Sequence, residues 1–360
     1  MPKTVLIVDD SALVRKQLAE MISTLNFDIE FAKNGREAVT KATLQQFDVI
    51  TMDINMPIMD GIEAVKKIME AQPTPILMVS SLTTEDAIIT MDALDLGAVD
   101  YIAKPGTMNV GKNENREEIL HKVHALSMIS LRRLKRRMSR TAIRERRRPE
   151  PISSRRTISD TRSDIRSSKD LQKVILIGSS TGGPGLIEQI CAALPANYKH
   201  TLCIVQHMPE QFTAAFAERL DRACVLSVLE TKQNMELLPG TVYLARGGVH
   251  IGFAKKVSGK IIIREDKDKG TCFFQPSVNK MIESALEIFD GANLVGVILT
   301  GIGDDGADAM VKIKQAGAYT LGESEESATV YGMPKEAYDR GGVQEQLDFS
   351  SILQKIATLR

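Results

Sequence analysis

The sequence predicts an α/β protein made of two sheet-containing units joined by a basic connector, and three observations carry that prediction. Short apolar runs alternate with helical patterns over residues 5–104, the alternation resumes at Val174, and a basic, apolar-poor stretch lies between them. At 360 residues the chain is too long for one ordinary core and suits two domains with a linker. Its 43% hydrophobic and 26% charged residues are ordinary for a globular protein. No apolar run reaches the roughly 18 residues a membrane span needs. The first ten residues lack the apolar length and cleavage site of a signal peptide, and the cysteines (Cys191, Cys203, Cys224, Cys272) include no C-x-x-C pair. A cytoplasmic protein without a zinc site or disulfide framework is therefore expected.

In the first unit, strands are expected at residues 5–8, 29–32, 49–52, 76–79 and 101–102, with helices crossing on both faces of a parallel sheet. A closing helix is expected from about Asn115, with Leu120, Val123, Leu131, Leu134 and Met138 on one stripe. The zero net charge hides an asymmetry: residues 132–148 hold ten Lys or Arg against one acid, Glu145, and a Ser/Thr/Arg/Asp-rich stretch continues to Lys169. In the second unit, strands are expected at residues 174–177, 200–205, 241–245, 260–264 and 295–299, and helices at 185–193, 211–221, 278–289 and 307–315. A mixed or mostly parallel sheet follows.

Open parallel sheets bind ligands at the carboxyl ends of their strands. In the first unit those ends carry Asp9-Asp10, Asp53, Ser80-Ser81 and Lys104-Pro105. Three converging carboxylates repel one another but suit a hard cation such as Mg²⁺, which leaves room for phosphate oxygens. Asp53 can then act as a nucleophile toward a phosphoryl donor, with Ser80 bonding the phosphate and Lys104 neutralising it. Helix capping is the alternative role for Asp10 or Ser11. The constellation resembles the receiver domain of response regulators, over roughly residues 3–125. That resemblance implies a flavodoxin-like, doubly wound fold in which Asp53 is phosphorylated. It also implies that Asp9, Asp10, Asp53 and the Asn55 carbonyl hold Mg²⁺, and that Ser80, Tyr101 and Lys104 form the switch.

In the second unit, residues 174–177 lead into Gly178-Ser179-Ser180-Thr181-Gly182-Gly183-Pro184. G-x-S-x-G between strand and helix fits a nucleophile elbow, and Pro184 suits a first helical turn. A phosphate cradle is the weaker reading, since neither G-x-G-x-x-G nor a Walker sequence occurs. Ser180 needs a base and an orienting acid. His207 follows the next strand, and the Thr300-Gly301-Ile302-Gly303-Asp304-Asp305 loop offers acids together with backbone N–H groups for an oxyanion. A packed histidine and a helix-capping aspartate are the plain alternatives.

Together these segments resemble the chemotaxis protein-glutamate methylesterase/glutamine deamidase family over residues 172–345, with boundaries expected at 1–125 (receiver), 126–170 (linker) and 171–360 (catalytic unit). The resemblance implies Ser180 as nucleophile, His207 as base and Asp305 as orienting acid, with Ile302 and Gly303 at the oxyanion. It also implies a receiver that covers the active-site face until phosphorylated, and ester hydrolysis without a cofactor. Methyl-accepting chemotaxis receptors are the implied substrates, a chemotaxis histidine kinase the phosphodonor, and receptor arrays at the inner membrane the location. Ile302, Arg246 and Asn279 depart from the family's usual methionine, proline and aspartate, which puts the substrate groove in more doubt than the chemistry. The basic stretch is open between a solvated tether and attraction to acidic receptors or anionic lipid. A DNA-binding output is the competing class of function, but no helix-turn-helix pattern accompanies it and no nucleic acid is expected.

Overall fold

The computed structural model describes residues 2–81, 83–105, 112–130, 132, 134 and 167–359. The N-terminal half runs β1 (Lys3–Val8), α1 (Ala12–Ile22), β2 (Phe27–Ala32), α2 (Gly35–Leu44), β3 (Val49–Asp53), α3 (Gly61–Ala71), β4 (Ile76–Ser80), α4 (Thr84–Asp95), β5 (Asp100–Ala103) and α5 (Lys112–Ser127). Its five strands are all parallel in the order β2-β1-β3-β4-β5, the doubly wound flavodoxin-like order. Val5, Leu6, Ile7 and Val8 are fully buried because helices cover both faces, so the run reads apolar without alternation. Each such side chain contributes on the order of 1.5–3 kcal/mol. Helix starts are capped as their sequences dictate: Ser11 accepts from the Val14 amide and Asp60 from the Glu63 amide.

The C-terminal half runs β6 (Val174–Ser179), α6 (Pro184–Ala193), β7 (Thr201–Gln206), α7 (Glu210–Ala223), β8 (Ser227–Glu230), β9 (Thr241–Leu244), β10 (His250–Lys255), β11 (Ile261–Asp266), α8 (Val278–Ile288), β12 (Leu294–Ile298), α9 (Ala307–Gln315), β13 (Tyr319–Glu323), α10 (Met333–Asp339), β14 (Glu345–Leu347) and α11 (Phe349–Ala357). Seven strands form a wholly parallel sheet, β14-β13-β12-β6-β7-β9-β8. The strand expected at 260–264 does not join it. As β11 it pairs antiparallel with β10 in a separate hairpin backed by α8. Its apolar residues Ile261 and Ile263 are buried in one cluster with Met281, Ile282 and Ala285 of α8, as sheet residues under a helix would be, so the pattern alone does not say which sheet it enters.

Two junctions differ in extent from the sequence expectation. The closing helix begins at Lys112 rather than Asn115 and ends at Ser127, with Leu126, Ile129 and Leu134 buried beyond the expected boundary at 125. Leu131, Met138 and the arginines at 144 and 146–148 lie outside the described residues. The C-terminal half already starts before 171, because Ser168 Oγ accepts the Ile261 amide at 2.8 Å and the Ser168 amide donates to Glu236 Oε1 at 3.2 Å. Among the described residues no helix is long and apolar enough to cross a membrane.

Candidate functional site

Two groups of polar residues stand at strand carboxyl ends, one in each half. In the N-terminal half, ligand-capable oxygens of Asp9, Asp10 and Asp53 all lie within 4.8 Å of one another. Lys104 Nζ sits 2.8 Å from Asp53 Oδ1 and 3.4 Å from Asp9 Oδ2. Asp53 Oδ1 also accepts the Ile54 amide, while its buried Oδ2 has no hydrogen-bond partner. Burial, reinforced by the charge of Asp9, pushes the Asp53 carboxyl up to about 6, against the pull of Lys104. Burial likewise raises Asp9. A buried carboxylate oxygen without a donor, facing two more carboxylates, fits a hard divalent cation. Ser80 ends β4 beside this pocket, and its carbonyl accepts the Lys104 amide at 2.8 Å. Asn55, two residues past Asp53, is exposed, and its side chain bonds Asp86 at 3.2 Å. A side-chain carbon at Gly61 would lie 2.0 Å from the Asp53 carbonyl, so only glycine lets α3 start so close to the end of β3.

In the C-terminal half, β6 leads into the serine elbow and β7 beside it leads into His207, whose amide bonds the Ser179 carbonyl at 3.0 Å. The elbow is held from two sides. Gln206 donates to the Ser180 carbonyl at 2.9 Å and accepts from Ser179 Oγ at 2.7 Å. Thr300, fixed by the buried Glu323, accepts the Ser180 amide and donates to the Thr181 carbonyl, each at 2.9 Å. At Gly301 a side-chain carbon would lie 2.8 Å from Ser180 Cβ, which explains the glycine opposite Ser180.

His207 Nε2 lies 2.8 Å from Asp305 Oδ2, its ring stacks on Phe274 at 4.0 Å, and its buried Nδ1 has no hydrogen-bond partner. Asp305 takes three further donors: Val278 N at 2.6 Å, Ser277 Oγ at 2.7 Å and Asn279 N at 3.1 Å. Burial alone would raise this carboxyl, but His207 and the two amides outweigh it and hold it below its ordinary range. The neighbouring Asp304 is exposed and pairs with Arg340 at 2.7 Å. Neither Ile302 nor Gly303 donates its N–H to another backbone group among the described residues. The loop that bears them is pinned at Gly301, whose carbonyl accepts from Gly332 and Met333.

Of the sequence-predicted residues, the structure thus brings together Asp9, Asp10, Asp53 and Lys104 in one cluster, and it sets His207, bonded to Asp305, at the strand end beside the turn that bears Ser180. Tyr101 joins neither. It lies flat on Phe212 of α7, with ring centroids 4.4 Å apart and planes 3° from parallel, where the two halves meet. Asp100 next to it accepts a hydrogen bond from Thr181, the neighbour of Ser180, and Lys122 holds both Asp100 (3.3 Å) and the Tyr101 carbonyl (2.8 Å). Arg219 of α7 pairs with Asp95 and Asp92 of α4 and with Glu188 of α6, and His121 of α5 packs on Phe273. Sequence reasoning missed Gln206, Phe274, Ser277 and Glu323. Only Ser277 carried a local signal, a helix-cap residue directly before Val278.

The "CheB methylesterase" family model matches residues 175–356 and the "Response regulator receiver domain" model residues 5–114. The protein-glutamate methylesterase/protein-glutamine glutaminase 2 of Carboxydothermus hydrogenoformans is 45% identical over 99% of this chain and 98% of its own length. A protein-glutamate methylesterase/protein-glutamine glutaminase of Caldanaerobacter subterraneus is 41% identical over 94% of this chain and 92% of its own. The crystal structure of the Thermotoga maritima CheB methylesterase catalytic domain aligns with a TM-score of 0.50 at 36% identity, covering 52% of this chain and 98% of that one.

Proposed function

The chain belongs to the CheB methylesterase family, in a form that carries a response-regulator receiver, and on that premise we propose how its residues perform and control the reaction. It is a phosphorylation-regulated protein-glutamate methylesterase and protein-glutamine glutaminase of chemotaxis. Ser180 Oγ attacks the γ-carbonyl of a glutamate methyl ester and passes its proton to His207 Nδ1, the nitrogen that Asp305 leaves free. Asp305 fixes the ring through Nε2 and stabilises the imidazolium. The N–H groups of Ile302 and Gly303 receive the oxyanion. His207 then protonates the departing methoxide oxygen, which leaves as methanol, and a water activated by the same nitrogen hydrolyses the acyl-enzyme. A glutamine side chain follows the same route with ammonia leaving. The observation that carries this reading is the His207–Asp305 bond at 2.8 Å, on the strand end next to the serine elbow.

For control, Asp53 accepts the phosphoryl group from a chemotaxis histidine kinase. Asp9, Asp10, Asp53 and the Asn55 carbonyl would hold Mg²⁺, which when bound offsets the charge gathered on the acceptor and the incoming phosphate. Ser80 and Lys104 contact the phosphate, and Tyr101 carries the change to the interface. Asp100 on Thr181, Tyr101 on Phe212 and Arg219 between three carboxylates support a receiver that covers the elbow before phosphorylation. The units are a receiver whose closing helix runs to Ser127, a linker, and a catalytic unit that begins by Ser167. Substrates are methyl-accepting receptors, so the enzyme works in the cytoplasm beside receptor arrays at the inner membrane. The test is methanol release from methylated receptor membranes with a small-molecule phosphodonor. Ser180→Ala should lower it by about 10³-fold or more, and wild-type turnover by a folded Ser180→Ala protein would overturn the assignment.

A further inference from the structure

Asp305 carries two donors on each oxygen. Oδ2 takes His207 Nε2 at 2.8 Å and Val278 N at 2.6 Å, and Oδ1 takes Ser277 Oγ at 2.7 Å and Asn279 N at 3.1 Å. Three of the four come from the first residues of one helix, where unpaired amides and the positive end of the helix dipole favour an anion. Ser277 alone contributes by its side chain, and it is held from behind. Its amide donates to Nδ1 of the buried His250 at 3.1 Å, so that ring nitrogen must be unprotonated. Ser277 Oγ also accepts from the Lys280 amide as the cap of α8. His250 stands at the start of β10 and so ties the cap to the β10–β11 hairpin.

We infer that Ser277, braced by His250, is a positioning residue for the methylesterase reaction: its hydroxyl fixes the rotamer of Asp305 that presents Oδ2 to His207. This rests on the reading of Asp305 as the orienting acid. Without the Ser277 hydroxyl, Oδ1 keeps only the longer Asn279 contact, and the carboxylate can turn away from the imidazole. The effect falls on kcat, because Ser277 reaches the reacting atoms only through Asp305 and His207.

The experiment measures kcat and KM for methanol release from methylated receptor membranes, with the full-length chain and a phosphodonor. Ser277→Gly should lower kcat at least about tenfold with KM within about twofold, since a hydrogen bond to a charged group is lost while glycine remains an adequate cap. Ser277→Thr, which keeps both hydroxyl and cap, should stay within about threefold of wild type. In an Asp305→Ala background, Ser277→Gly should change kcat by less than about twofold, because two residues acting through one group are not additive. Unchanged kcat in Ser277→Gly, a loss carried by KM, or an equal further loss on top of Asp305→Ala overturns the inference while leaving the triad in place. Wild-type kcat in a folded Asp305→Ala protein overturns the triad reading and this inference with it.

Discussion

Asp53 and Asp305 are both carboxylates at the carboxyl end of a parallel sheet, yet their surroundings are opposite. Asp53 faces two other acids, keeps one buried oxygen without a donor, and is pushed up to about 6 by burial. Asp305 is surrounded by four donors and held below its ordinary range. The first pocket is incomplete in positive charge and therefore suited to a cation and a transient phosphoryl group. The second is complete, and suited to remain an anion through every turnover. One fold class supplies both because strand ends can gather either like charges or helix amides, depending on which loops meet there.

The largest expected effect tests the complete pocket. His207→Ala should cost about 10³-fold in methanol release, and Ser180→Ala combined with it should be little worse than either alone, because triad members act as a unit. Independent, multiplying losses would break the picture of a single proton-transfer group. The incomplete pocket gives the next effect. Asp53→Asn should abolish kinase-dependent, Mg²⁺-dependent labelling and with it the activation of the esterase by about tenfold or more. Label persisting at the wild-type level would move the acceptor elsewhere. A smaller effect is expected at the contact between the halves: Arg219→Ala should raise basal methanol release several-fold by freeing α4 from α7, while Arg219→Lys should raise it less. Unchanged basal release in a folded Arg219→Ala protein would mean that this ion cluster does not hold the receiver in place.

The smallest effect concerns pH. Asp53 titrates higher in the fold than in the unfolded chain, so the folded state binds the extra proton between about 4 and about 6. Its contribution to stability is full below that window and is lost as pH rises through it. Mg²⁺ binds the ionised carboxylate, so saturating Mg²⁺ should raise the thermal midpoint more at about pH 7.5 than at about pH 5. An equal or reversed shift would contradict the proposed pocket.

Much of this was legible in the residues. Strand ends bearing Asp9, Asp53 and Lys104, and a glycine turn bearing Ser180, are local patterns, and a parallel sheet has few ways to arrange them. What was not legible depends on contacts between distant segments. Phe274 stacks on His207 from a loop with no regular pattern, and Gln206 reads as an ordinary strand-end amide until the elbow is seen folded over it. The interface role of Tyr101 is hidden in the sequence, since its partner Phe212 lies 111 positions later in an amphipathic helix whose apolar stripe looks like any core. The hairpin strand β11 has the same apolar run as a sheet strand, and its antiparallel partner β10 carries too few unbroken apolar residues to announce itself.

Initial methanol-release rates test directly whether the incomplete pocket governs the complete one through a covering contact. Because Ser168 is bonded to Glu236 and Ile261, the shortened chain should begin a few residues before Ser167. It should be active without phosphodonor, whereas the full-length protein should need one for activation of at least about tenfold, a differential of only about 1.4 kcal/mol between covered and open states. If a folded chain lacking the receiver is instead less active than the unphosphorylated full-length protein, the receiver is an activating partner and the covering contact does not hold the enzyme off.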